Sequence, residues 1–119
     1  MSDPPPDFTP SNPNRLDRIE QMLADDPGDR FLRYSLAMEH RGAGNTDAAL
    51  ENFDRLITAD PPHVPAYFMS AQMLADIDRV DEARERLRNG IDQARTQGDT
   101  HAAAEMSELL ASLGSLGEL

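Results

Sequence analysis

The chain has 119 residues, no cysteine and a formal charge of −11, from 22 acidic residues against 11 arginines and no lysine. Such a length suits one small domain, and the missing cysteine excludes a disulfide framework and a thiolate nucleophile. Nucleic acid and anionic lipid need clustered cations, whereas the arginines here alternate with acids, as in Asp81-Glu82-Ala83-Arg84-Glu85-Arg86, which argues against both as partners.

The opening stretch MSDPPPDFTP has neither the basic nor the apolar region of a secretory signal. No apolar run approaches the length of a membrane span. A cytoplasmic location is expected. Residues 1–13 carry Pro4, Pro5, Pro6, Pro10 and Pro13, which exclude a helix and point to a disordered tail with partial polyproline II character. Phe8 is its one large apolar residue, and it could fold back onto the domain.

The first helix is expected from Asn14, a good N-cap with Asp17 three residues on, and its apolar face is Leu16, Ile19, Met22 and Leu23. Asp25-Asp26-Pro27-Gly28 ends it. A second helix, about Asp29 to Arg41, is apolar around most of its circumference. Gly42-Ala43-Gly44 breaks the chain before a third, about Thr46 to Ala59, with Ala49, Leu50, Phe53, Leu56 and Ile57 on one side. Pro61-Pro62-His63 makes a stiff turn, and Pro65 stands in the first turn of a fourth helix that runs to Asp76. The fifth, about Val80 to Arg95, turns Val80, Ala83, Leu87, Ile91 and Ala94 inward and a dense Arg/Glu face outward. Gly90 is an inward residue there; it costs about 1 kcal/mol of helix propensity against Ala and is expected to let another helix approach closely. Thr96-Gln97-Gly98-Asp99 breaks the chain again before a sixth helix, about Thr100 to Leu113, with fraying expected from Gly114. The organisation expected is therefore a tail over 1–13, a helical domain over 14–113 and a frayed end over 114–119.

A shift of 34 residues superposes this pattern on itself. Asp26-Pro27 maps onto Asp60-Pro61, Leu16 onto Leu50, Tyr34 onto Phe68, Ala37 onto Ala71, Asp47 onto Asp81, Ala49 onto Ala83 and Ile57 onto Ile91. A period of that length with helix-turn-helix content is the mark of a helical repeat array. In detail it resembles the tetratricopeptide repeat family, whose pattern is Trp-x2-Leu-Gly-x2-Tyr, then Ala-x3-Phe, then Pro. The central repeat carries Leu36, Ala37 in the Gly place, Ala49, Phe53 and Pro61, and departs at Arg33 (Trp place) and His40 (Tyr place). The next repeat keeps Tyr67, Ala71, Ala83 and Leu87, with Arg95 where Pro is usual. The resemblance implies an all-α fold: a right-handed, antiparallel helix-hairpin array of about six helices in the order B, A-B, A-B, A. It implies a protein-interaction module rather than a particular activity.

The residues themselves offer little chemistry. His101 and Glu105 stand four apart on a helix, a spacing open to a metal, but no third ligand joins them. Ser35, Ser70, Ser107 and Ser112 lie in helices without a nucleophile turn, and Gly42-Ala43-Gly44 follows no strand and precedes no Lys, unlike a phosphate loop. The acids Asp25, Asp26, Asp76 and Asp78 sit at helix ends and turns, where they read as solvated. No enzyme, cofactor or metal is expected. In the family that the chain resembles, the A helices line a concave groove. By position that groove would be faced by Phe31, Tyr34, Met38 and Arg41 on the second helix, by Phe68 and Gln72 on the fourth, and by Met106 on the sixth. These rings and methionines read either as core or as anchors for a partner. The anchor reading implies a peptide or partner helix with an apolar anchor, neutral to basic given the negative charge. Homodimerisation through the same groove or the last helix is the alternative.

Overall fold

The computed structural model describes residues 13–117. The tail over residues 1–12, Phe8 included, and residues 118–119 lie outside the described residues. Among the described residues the fold is all-α. Its helices are α1 (Pro13–Asp25), α2 (Arg30–Gly42), α3 (Thr46–Ile57), α4 (Val64–Asp76), α5 (Val80–Thr96) and α6 (Thr100–Gly117), joined as hairpins. Two compact units divide the chain, one up to Asn52 and one from Phe53 onward.

Helix starts follow local chemistry. α1 begins at Pro13, so Asn14 lies inside the first turn rather than capping it; proline's fixed φ and missing N–H suit the first helical position. Asp29 precedes α2 as its N-cap, and its carboxylate accepts from the Leu32 N–H at 3.0 Å, which satisfies one of the donors a helix start leaves open. Asp99 does the same for α6 through the Ala102 N–H at 3.0 Å. Pro65 occupies the first turn of α4 as expected.

Three helix ends close alike. Gly44, Asp78 and Gly98 have φ of 81°, 63° and 78°. The next residue's N–H then reaches back to a carbonyl of the last turn: Asn45 to His40 at 2.8 Å, Arg79 to Leu74 at 2.8 Å and Asp99 to Ala94 at 2.7 Å. Such left-handed closure satisfies terminal carbonyls. Gly44 and Asp78 share one repeat position, so the second copy uses a residue with a Cβ where the first uses glycine. α6 runs on to Gly117, past the end expected at Leu113.

In the first unit α1 packs on α2. Leu23, Leu36 and Ala37 are buried, whereas Met22, expected on the apolar face of α1, is 49% exposed. Arg15 Nε lies 3.1 Å from Glu39 Oε1 across the two helices. The departures from the family pattern have polar work here. Arg33 Nη1 donates to Asn52 Oδ1 at 3.0 Å, and Asn52 donates to the Ala48 carbonyl at 2.8 Å. His40 Nδ1 lies 3.2 Å from Asn45 Nδ2 across the turn.

The second unit holds the largest fully buried side chains: Phe53, Leu56, Leu74, Leu87 and Met106. Burying each contributes about 1.5–3 kcal/mol. α5 packs on both α4 and α6, and α4 also touches α6. The three meet at Gly90. A Cβ built there would stand 2.6 Å from Met106 Sδ on α6 and 2.6 Å from Tyr67 Cβ on α4, so the close approach read from the sequence is real. Ala49 and Ala83, the small residues of the repeat, are both fully buried.

Candidate functional site

The stripe expected on α2 follows the helical period, Phe31, Tyr34, Met38 and Arg41 at spacings of three and four. Phe31 is 76% exposed, a large ring in water on the first turn. Tyr34, Met38 and Arg41 are half-buried. Burial pushes the Tyr34 phenol above its ordinary 10.0, with the Arg41 guanidinium acting in the opposite sense, so the hydroxyl is a neutral donor at physiological pH. On α4, Phe68 and Gln72 are half-buried and one turn apart, between the exposed Pro65 and Asp76. Met106 does not belong with them. It is fully buried, against Gly90, because the small residue on α5 makes a hole that its thioether fills. It is core.

Arg86 was expected on the outward face of α5, and the structure turns it in. Its Nη1 donates to Ser70 Oγ at 3.0 Å and lies 2.9 Å from Asp54 Oδ1. Ser70 is fully buried and donates to the Ala66 carbonyl at 2.5 Å. A hydroxyl on the inward side of an apolar helix needs partners. That was the signal in the sequence: α4 carries Ser70 among alanines and methionines, and an arginine on the next helix answers it.

Beside this network the second unit has an open cleft of about 370 Å³, lined by Ile57, Thr58, Tyr67, Arg86, Asn89, Asp92 and Gln93. Tyr67 is 6% exposed. Burial raises its phenol above 10.0, against the pull of Arg86, so it too stays a neutral donor. Sequence reasoning missed this concavity, since it depends on the end of α3 and the turn before α4 standing against the C-terminal half of α5. Glutamine shows the contact directly: Gln97 Nε2 donates to the Pro62 carbonyl at 2.9 Å.

The remaining candidates carry no chemistry of their own. His101 Nε2 pairs with Glu105 Oε1 at 2.8 Å, both exposed. Among the described residues no three His, Cys, Asp or Glu side chains gather to hold a metal. Ser107 donates to the Ala103 carbonyl at 2.8 Å. The Arg79–Glu82 and Arg84–Asp81 pairs stand at the start of α5, the first exposed and the second with its arginine partly buried; an exposed pair contributes little to stability. The hydrogen bond from Arg79 holds the Glu82 carboxyl below its usual range. Arg84 also reaches the Leu113 carbonyl of α6 at 2.8 Å. Among the described residues no helix is long and apolar enough to cross a membrane.

Comparison with known proteins places this architecture. Residues 40–113 match the model of the tetratricopeptide repeat. A TPR repeat-containing protein of Pseudomonas aeruginosa is 26% identical over 98 residues, 82% of this chain and 93% of that protein. The solution structure of a tetratricopeptide repeat domain protein from Salinibacter ruber superposes with a TM-score of 0.72 at 33% identity, covering 76% of this chain and 92% of its own. The solution structure of a protein from Bordetella parapertussis gives a TM-score of 0.72 at 25% identity, with 84% and 87% covered.

Proposed function

Because the chain belongs to the tetratricopeptide repeat family, whose members serve as protein-interaction modules, we propose that it is a non-catalytic, cytoplasmic adaptor that binds a peptide segment or partner helix. The contacts would be made by Phe31, Tyr34, Met38 and Arg41 on α2 and by Phe68 and Gln72 on α4. The observation that carries this reading is Phe31. A ring 76% exposed on the same stripe as a half-buried Tyr and Met is an anchor waiting for an apolar partner, and rings and methionine suit adaptable apolar recognition. Tyr34 and Phe68 stand one repeat apart, so each unit offers an aromatic residue at the same position of its A helix. With a chain charge of −11, the partner would be neutral or basic around its anchor, and association would slow as salt rises.

The test is affinity capture from the source cells with the intact chain, set beside Phe31→Ala, Phe68→Ala and an outer-face control. Arg88→Ala on the exposed side of α5 is that control; Arg86→Ala is not, because Arg86 holds the buried Ser70. Loss of the captured partner in both Phe variants and its retention in the Arg88 variant supports the assignment. Retention in all three refutes it. Sedimentation of the chain alone, with and without Phe31, separates self-association from capture of a different partner.

A further inference from the structure

The cleft on the second unit shares no residue with the α2 and α4 stripes, and its lining has a chemistry of its own. We propose that it is a second recognition site, for an extended basic peptide segment whose main chain is held by Asn89 and Gln93 and whose cationic side chain meets Asp92. The inference does not depend on the stripes being a binding face.

Asn89 and Gln93 on α5 and Gln97, its C-cap, recur every four residues and form a column of amides. The last of them already binds backbone: Gln97 donates to the Pro62 carbonyl in the non-helical segment before α4. The other two line the cleft, and among the described residues their side-chain amides take no hydrogen bond. Each carries a donor and an acceptor, as a peptide group does. Four residues of α-helix rise about 6 Å, and two residues of an extended strand about 6.6–6.8 Å. A strand lying along α5 can therefore offer alternate peptide groups to Asn89 and Gln93 in turn.

The charge of the occupant follows from the lining. Arg86 and Asp92 are its charged residues. Arg86 is neutralised by Asp54 at 2.9 Å, whereas Asp92 is exposed and its carboxylate has no ion pair among the described residues. The cleft is thus left with one uncompensated negative charge on a chain that is already acidic, so a Lys or Arg side chain is favoured and an acidic one repelled. Ile57 and Tyr67 also line the cleft and supply apolar surface for the neighbouring side chain.

The test uses the intact, 15N-labelled chain and one defined probe, an N-acetylated, C-amidated octapeptide of alternating Arg and Val. Titration followed by amide NMR is expected to give saturable shifts of the Asn89 and Gln93 side-chain NH2 signals and of the Ile57 and Thr58 backbone. The double substitution Asn89→Ala, Gln93→Ala removes two hydrogen bonds and should weaken binding by about tenfold. Asp92→Asn should weaken it about two- to fivefold and flatten its salt dependence. The Glu-Val counterpart peptide should not bind, and Phe31→Ala should change nothing. Unaltered affinity in the double variant overturns the proposal, and so do shifts confined to α2. These substitutions are at exposed or half-exposed positions, and an unchanged far-UV spectrum shows that each variant is folded.

Discussion

Gly90→Ala sets two physical effects of opposite sign against each other. Helix propensity alone favours Ala over Gly in mid-helix by about 1 kcal/mol, so an exposed glycine at this place in α5 would be improved by the change. The packing says otherwise. The new Cβ would stand 2.6 Å from Tyr67 Cβ and 2.6 Å from Met106 Sδ, against about 3.5–4.0 Å for a comfortable carbon contact. Met106 can yield, since its thioether sits at the far end of a flexible chain. Tyr67 Cβ is bonded to the backbone of α4 and yields only if α4 and α5 part by about 1 Å. Overpacking of this sort costs about 1–3 kcal/mol, and the backbone-borne clash puts this case in the upper part of that range. The net expectation is a loss of about 1–2 kcal/mol. At about 4–8 °C per kcal/mol for a domain of this size, the melting temperature should fall by roughly 5–15 °C in a thermal scan by calorimetry or circular dichroism. Gly28→Ala is the matched control, because a Cβ there meets nothing within 4 Å and the loss of unfolded-state freedom should stabilise by about 0.4–1 kcal/mol. A Gly90→Ala chain that melts at or above the parent temperature would refute the reasoning.

Ala49→Leu should overpack a fully buried repeat position and cost about 1–3 kcal/mol; an unshifted denaturation midpoint would contradict the repeat register. Asp78→Gly should stabilise by about 0.5–1 kcal/mol, because a Cβ at φ 63° is strained where glycine is not, and urea unfolding reads this directly. Tyr34 and Tyr67 have folded-state pKa values raised by burial. Their contribution is therefore fully present below the unfolded value near 10 and is lost as pH climbs through the folded one; melting temperatures should drop at alkaline pH, and less steeply in Tyr67→Phe. In native-state hydrogen exchange, α1 and α2 should open at lower free energy than α4 and α5, since the largest fully buried side chains among the described residues lie in the second unit; equal protection would argue against that.

The helices were legible in the sequence because their apolar periodicity and their turn residues agree. The 34-residue shift set the register, and it placed Ala49 and Ala83 at contacts where both are fully buried. Gly90 was readable for a related reason: a glycine at an inward position of a strong helical pattern costs propensity and so calls for a packing explanation. What periodicity cannot distinguish is a residue that faces a neighbouring helix from one that faces water. Phe31 and Met106 read alike as apolar residues of A helices, yet one is in solvent and the other is core. Arg86 was misplaced because an arginine among acids looks solvated, and only the hydroxyl of Ser70 on another helix gives it a buried task. The cleft was invisible for the same reason: its walls come from α3, α4 and α5 and have no common spacing along the chain.

The two departures from the family pattern bear on how the first unit can serve recognition. Where the family places Trp and Tyr, this chain has Arg33 and His40, and both spend their polar atoms on local ties, to Asn52 at 3.0 Å and beside Asn45 at 3.2 Å. Hydrogen bonds of this sort contribute about 0.5–1.5 kcal/mol each, less than a buried ring contributes by area. They also fix direction, since an amide must meet a guanidinium in line. At these two positions the unit thus has directional contacts, at the turn after α2 and in the middle of α3, in place of a pair of large rings. Its aromatic residue of greatest exposure, Phe31, is then left without a place in that core. A lone exposed ring is ordinary on a protein surface, so what supports Phe31 as an anchor is its place on one helical stripe with the half-buried Tyr34 and Met38, and the Phe31→Ala capture comparison tests it.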